Sequence, residues 1–194
     1  MPSVPKTPSG KSRRRHSVWK AVEREAGKWA YKHDGPDPAM ANNKWVSSTG
    51  RVANTTQAQH DIRSLHYCGE CKAHEELPKW LWTMLAPVMA GDVSALVLKL
   101  PKCPLMVLIT PECHADLLAA ERGERAYRQG FTKEDSRDSA PEWLTTAWLQ
   151  ITQVAHKNNR HAWLYLRQPH KGAIHVLTVE RYNELVGYEA ELAA

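Results

Sequence analysis

Phenylalanine is almost missing from this chain. It occurs once in 194 residues, against 8 tryptophans, so the bulky apolar positions of a core are mostly indoles. Long apolar runs are missing too. None approaches the roughly 20 residues that a membrane-crossing helix needs, and the N-terminus has no apolar segment of the kind that directs secretion. A soluble, cytoplasmic protein is expected. Cysteine is scarce and poorly paired: Cys68-x-x-Cys71 has the spacing of a zinc half-site, with His66, His74 and His114 near in sequence, but Cys103 and Cys113 do not form a second half. A strand through this segment would also send Cys68 and Cys71 to opposite faces. Zinc is therefore the weaker reading, and reduced, mostly buried thiols the stronger one.

Acids are absent from the first 22 residues. Lys6, Lys11, Arg13, Arg14, Arg15 and Lys20 all precede Glu23, and the whole chain carries a formal charge of +5. Such a cluster binds phosphates by releasing their counterions, or else simply solubilises a tail. Pro2, Pro5 and Pro8 among Ser and Gly favour disorder over the first dozen residues. The expected organisation is a disordered basic arm over 1–16, with Lys11, Arg13, Arg14 and Arg15 contacting DNA.

What is present reads as alternating helices and strands. Ser17 can cap a helix running to about His33, with Trp19, Val22, Ala26, Trp29 and Ala30 on one apolar stripe. Glu23 falls inside that stripe and Glu25 outside it. A carboxylate on a core-facing stripe is costly without a partner. Residues 34–58 are loop-rich, with a short strand expected at Lys44-Trp45-Val46, and Lys44 and Arg51 in reach of a DNA backbone. Pro78 fits the first turn of a helix ending near Gly91. Strands are expected at Leu96–Leu100 and Leu105–Ile109, and a helix from about Pro111 to Gln129. The stretch Thr132-Lys133-Glu134-Asp135-Ser136 is polar and loop-like.

The C-terminal part echoes the middle. Pro78-Lys79-Trp80-Leu81 recurs as Pro141-Glu142-Trp143-Leu144, offset by 63 residues. Leu98-Lys99-Leu100-Pro101 recurs as Leu166-Arg167-Gln168-Pro169, and Val107-Leu108-Ile109-Thr110 as His175-Val176-Leu177-Thr178, both offset by 68. One small insertion reconciles the offsets. The echo suggests a helix–strand–strand–helix unit added to the core.

The chemistry lies in Asp61-Ile62 and, nine positions after Asp61, Glu70-Cys71-Lys72. On a strand Glu70 and Lys72 project to one face, and a short hairpin brings Asp61 beside them. Two carboxylates and an amine suit metal-assisted phosphodiester cleavage, the acids holding a hard cation and the lysine orienting or deprotonating water. His60-Asp61-Ile62-Arg63, Gly69-Glu70-Cys71-Lys72-Ala73-His74 and Leu77-Pro78-Lys79-Trp80-Leu81 resemble the PD-(D/E)XK nuclease superfamily. Within it they look most like the Holliday-junction-resolvase-like endonucleases of phages and prophages. His60 stands where the family's name has Pro.

The resemblance implies an α/β fold with a central mixed β-sheet flanked by helices, a restriction-endonuclease-like core over 17–130. A linker at 131–140 would follow, then the added unit at 141–194, packed on or extending the core. It implies Mg2+ or Mn2+ held by Asp61, Glu70 and the Cys71 backbone carbonyl, with Glu23 completing the site from the first helix and Lys72 as the catalytic amine. Many relatives place a glutamine near the site from the helix after this strand; here that slot holds Pro87, so either the protein lacks the glutamine or Gln150, in the equivalent slot of the second unit with Gln153 on the same helical face, supplies it. Lys99, expected one strand over, would add a phosphate contact. The implied substrate is branched or double-stranded DNA, cut by a homodimer in a bacterial host cell. The alternatives are a zinc-stabilised nucleic-acid-binding or HNH-type protein, and a catalytically inactive nuclease fold that binds DNA.

Overall fold

Residues 162–166 and 173–177 are buried without interruption. That is the pattern of strands lying inside a sheet covered on both faces. The computed structural model describes residues 10–38, 61–73, 77–124, 132–168 and 171–192, with side chains from residue 18 to residue 187 within those ranges. Helix α1 spans Gly10–His33, followed by β1 Ile62–Arg63, β2 Tyr67–Ala73, α2 Lys79–Ala90, β3 Ala95–Lys99 and β4 Met106–Ile109. Then come α3 Pro111–Glu121, β5 Thr132–Ser136, α4 Glu142–Lys157, β6 His161–Gln168, β7 Gly172–Thr178 and α5 Val179–Leu192. The strands form one mixed sheet in the order β1-β2-β6-β7-β4-β3-β5. The expected class, α/β with a central mixed sheet and flanking helices, is what the structure shows.

Each face of the sheet has its own core. On one face Cys68, Leu96, Leu98, Leu164 and Leu166 pack with Leu81 and Leu85 of α2 and with Trp148 and Ile151 of α4. On the other, Tyr67, Cys71, Trp163, Tyr165 and Leu177 pack with Val22, Ala26 and Ala30 of α1, Leu117 of α3 and Leu185 of α5. Cys68 and Cys71 thus enter opposite cores, as strand alternation requires. Local signals mark the helix ends. Thr110 Oγ1 accepts from Cys113 N at 3.1 Å with Pro111 in the first turn of α3, and Gly91 closes α2 with a φ of 82°.

The sequence echo is a pseudo-two-fold axis. Antiparallel β4 and β7 pair with Leu108 opposite Val176, two residues that are 68 apart, so the axis passes between them. Within the hairpins, Leu96 pairs with Leu108 and Leu164 with Val176, the same register 68 residues on. The outer strands complete the symmetry by exchange: β2 runs parallel to β6 of the second unit, and β5 runs parallel to β3 of the first. Glu70 lies opposite Leu164, and Lys133 opposite Leu96, so Glu70 and Lys133 are equivalent at the offset of 63. The offset grows by five between α4 and β6: four residues lie in α4, which has 16 where α2 has 12, and one in the connection to the strand.

Several expectations are corrected. Helix α1 begins at Gly10, not Ser17, so residues 10–16 of the expected disordered arm are helical, and Trp19 is 39% exposed rather than part of the buried stripe. The side chains of Lys11, Arg13, Arg14 and Arg15 lie outside the described residues, as do Lys44, Trp45, Val46 and Arg51. Helix α3 ends at Glu121, eight residues short of Gln129. The expected linker at 131–140 contains β5, a strand whose exposed charged side chains suit a sheet edge. The unit at 141–194 is no appendage, since β6 and β7 sit between β2 and β4.

Candidate functional site

The site is built on the β1–β2 hairpin, where Ile62 pairs with Gly69 and Arg63 with Cys68. Its turn is pinned from α1's end. Asp34 accepts from His66 N at 2.9 Å, its other oxygen lies 2.7 Å from His66 Nδ1, and Leu65 N donates to Gly35 O at 3.0 Å. Asp37, buried, is held between Arg63 Nε at 2.5 Å and Arg160 Nη2 at 2.9 Å. These contacts fix α1 against the hairpin, and with it Glu23. Gly69 allows the hairpin to lie close on its neighbours: a Cβ there would come within 2.8 Å of the Trp163 ring and 3.2 Å of Ile62 Cβ.

Asp61 immediately precedes β1 and is tied at both ends. Its N–H donates to Gly69 O at 2.9 Å, and its Oδ2 accepts from Cys71 N at 2.8 Å. Lys72 Nζ donates to Glu70 Oε1 at 2.6 Å, the two side chains projecting from one face as expected. Tyr67 O and Gly69 O both accept from the β1 segment, so the carbonyl of Cys71, next in that alternation, is directed to the same edge beyond Asp61. Glu23 is 7% exposed and Glu25 much more so, its side chain 49% exposed, as the helical phase requires.

The three acids share one field. Burial, then the charge of Asp61, and more weakly that of Glu23, push the Glu70 carboxyl above its ordinary value against the opposing pull of Lys72. Burial and the same three carboxylates push the Cys71 thiol well above its own. Burial also raises Cys68, to about 11. Both thiols are thus held protonated, and they lie in the cores on opposite faces of the sheet. Among the described residues no three His, Cys, Asp or Glu side chains stand together as a ready-made metal site. Mg2+ binds proteins through one or two carboxylates and keeps several waters.

Two accessory expectations fail. Lys99 ends β3, and β6, β7 and β4 stand between β3 and β2, roughly 19 Å at about 4.8 Å per strand. The strand beside β2 is β6, which carries at that place Arg167, the repeat counterpart of Lys99, opposite Ala73. Gln150 is exposed on α4, whose sheet-facing residues are Leu144, Ala147, Trp148, Ile151, Val154 and Ala155. The glutamine on the Glu70 face is Gln168, whose Oε1 accepts from Leu77 N at 3.2 Å and from Trp82 Nε1. The repeat contained this signal, because it equates Lys99-Leu100 with Arg167-Gln168. Glu25, outside the apolar stripe, accepts from Tyr165 Oη at 2.8 Å and lies 3.4 Å from Arg167 Nε.

The second unit does not repeat the Glu70–Lys72 pair. Lys133 occupies the position of Glu70, and Asp135 that of Lys72. Comparison of the chain with models of known families, with curated proteins and with solved structures returned no match. No described helix is long and apolar enough to cross a membrane.

Proposed function

We propose that the protein is a divalent-cation-dependent DNA endonuclease acting on branched or double-stranded DNA. One observation carries this reading: Asp61, Glu70 and Lys72 converge on a single hairpin, where burial and neighbouring charge disfavour the ionised Glu70 carboxylate. Such a site gains from a cation. Mg2+ or Mn2+, held by Asp61 and Glu70 with the Cys71 carbonyl as a further oxygen, would supply Lewis acidity and a more acidic bound water. Glu23 adds negative charge from α1. Lys72, now bonded to Glu70, is placed to hold the attacking water and to stabilise charge developing on the scissile phosphate. Trp82 and Leu77 fix Gln168 nearby, which keeps this end of β6 in place.

The pseudo-dyad supports one site per chain, because Lys133 and Asp135 replace the acid and amine in the second unit. Two cuts across a branched substrate then call for two chains, in keeping with a homodimer. Incubation with four-way junction, flap, duplex and single-stranded DNA, with Mg2+, with Mn2+ and with neither, tests the reading. Cation-dependent cleavage of at least one substrate, lost in Glu70→Gln and Asp61→Asn, is expected. Binding without cleavage under every condition would leave a DNA-binding module on a nuclease-like frame.

A further inference from the structure

The surface of α1 turned away from the sheet carries Lys20, Arg24, Lys28 and Lys32, all exposed. A spacing of four residues sets them along one slowly winding ridge, in steps of about 6 Å over about 18 Å. Among the described residues none of the four is paired with a carboxylate; Arg24 Nε donates instead to the Lys20 carbonyl at 3.1 Å. The exposed acid on this stretch, Glu25, is engaged with Tyr165 and Arg167. The positive field is felt at the helix end, where burial first, and then Lys32 and Arg122, lower the pKa of His33.

Like charges at this spacing weaken a helix by a few tenths of a kcal/mol per pair. Faces that merely keep a protein solvated mix both signs. A one-sign ridge on the helix that brings Glu23 to the site is better explained by a polyanion. The ridge also begins at the site. Trp19, next to Lys20 and 39% exposed, has its ring 5.3 Å from Lys72 Nζ.

We propose that the Lys20–Arg24–Lys28–Lys32 ridge is the track for one phosphate backbone of the nucleic acid substrate, leading it past Trp19 to Lys72 and Glu70. The inference rests on the nuclease reading for the identity of its ligand. The test is equilibrium binding of a four-way junction oligonucleotide without divalent cation, from 50 to 200 mM salt, so that no cleavage enters. The variant Lys20→Gln, Arg24→Gln, Lys28→Gln, Lys32→Gln is expected to flatten the slope of log K against log salt by about 3 to 4, at roughly 0.9 per phosphate contact. A charge-matched control, Lys99→Gln, Lys102→Gln, Lys133→Gln, Lys157→Gln, is expected to keep the wild-type slope. Single ridge substitutions, each expected to remove about 0.9, carry the same test if the fourfold variant loses helix by circular dichroism. A wild-type slope in the ridge variants, or an equal loss in the control, overturns the track and leaves the nuclease reading standing. Absence of any DNA binding by the wild-type protein overturns that reading, and the track with it.

Discussion

Glu70 is held under opposing influences, and their balance has a sign that can be measured. Burial and Asp61 raise its carboxyl above the ordinary value of 4.5, and Lys72 only partly offsets them. A carboxyl raised in the folded state binds its proton more tightly there than in the unfolded chain. Its favourable contribution is therefore complete below about pH 4.5 and is lost as pH rises through the folded value. At neutral pH the ionised group destabilises the cation-free protein. Glu70→Gln removes that charge while keeping the side chain's size, so the variant should melt at a higher temperature than wild type in EDTA. Its Mg2+-dependent cleavage should fall by about a hundredfold or more, as when a group that stabilises transition-state charge is removed. Differential scanning calorimetry in EDTA and with Mg2+ reads the first effect, and initial rates the second. A lower melting point in EDTA together with wild-type rates would sink the assignment of Glu70 as a cation ligand.

Helix α1 turns one sequence pattern into three separate surfaces. Val22, Ala26 and Ala30 enter the core, Glu23 sits at their margin toward the site, and the lysine–arginine ridge faces out. The phase of 100° per residue also separates Glu23 from Glu25. Glu23→Gln should lower cleavage at limiting Mg2+ by about tenfold, or roughly 1.4 kcal/mol of transition-state stabilisation. Glu25→Gln should leave the Mg2+ dependence alone and act instead on DNA affinity, because Glu25 is engaged with Tyr165 and Arg167. Mg2+ titrations of initial rate on the two variants decide this, and a reversed order would falsify the role given to Glu23. The β1–β2 hairpin is the other element on which the site depends. Its register could be read from Asp61, Glu70 and Lys72, but its anchoring by Asp34 and Asp37 could not, since those contacts join residues 26 or more apart in the chain.

The whole molecule is a duplicated sheet whose halves have exchanged strands, and that governs its stability. Without residues 141–194, β2 loses β6 and β4 loses β7. A chain of residues 1–140 should therefore show no cooperative thermal transition by circular dichroism, whereas a cooperative, Mg2+-cleaving fragment would restore the division into a core and an appendage. The core beneath α1 adds an acid sensitivity. His114 Nδ1 and His175 Nδ1 are 2.9 Å apart, both rings are buried, and His114 Nε2 lies 3.0 Å from Tyr67 Oη, which Arg181 holds in turn. Burial above all drives both histidines well below the ordinary 6.5. The unfolded chain then binds more protons as pH falls, so this stability is complete above about pH 6.5 and is lost below it, by up to about 1.4 kcal/mol per pH unit for each ring. Urea unfolding at pH 7.5, 6.5 and 5.5 should show the decline, and a flat profile would mean that the rings are not held neutral. The sequence by itself determined that these helices and apolar strands form, though not where α1 begins or α3 ends, and with them the Glu23–Glu25 distinction and the convergence of Asp61, Glu70 and Lys72, because each rests on a local period or a short hairpin. Only the tertiary structure decided that β5 is a strand, that β6 and β7 are central, and that Arg167 and Gln168, not Lys99 and Gln150, stand near the site. Strand neighbours distant in the chain are chosen by which apolar faces bury one another, and no local period records that choice.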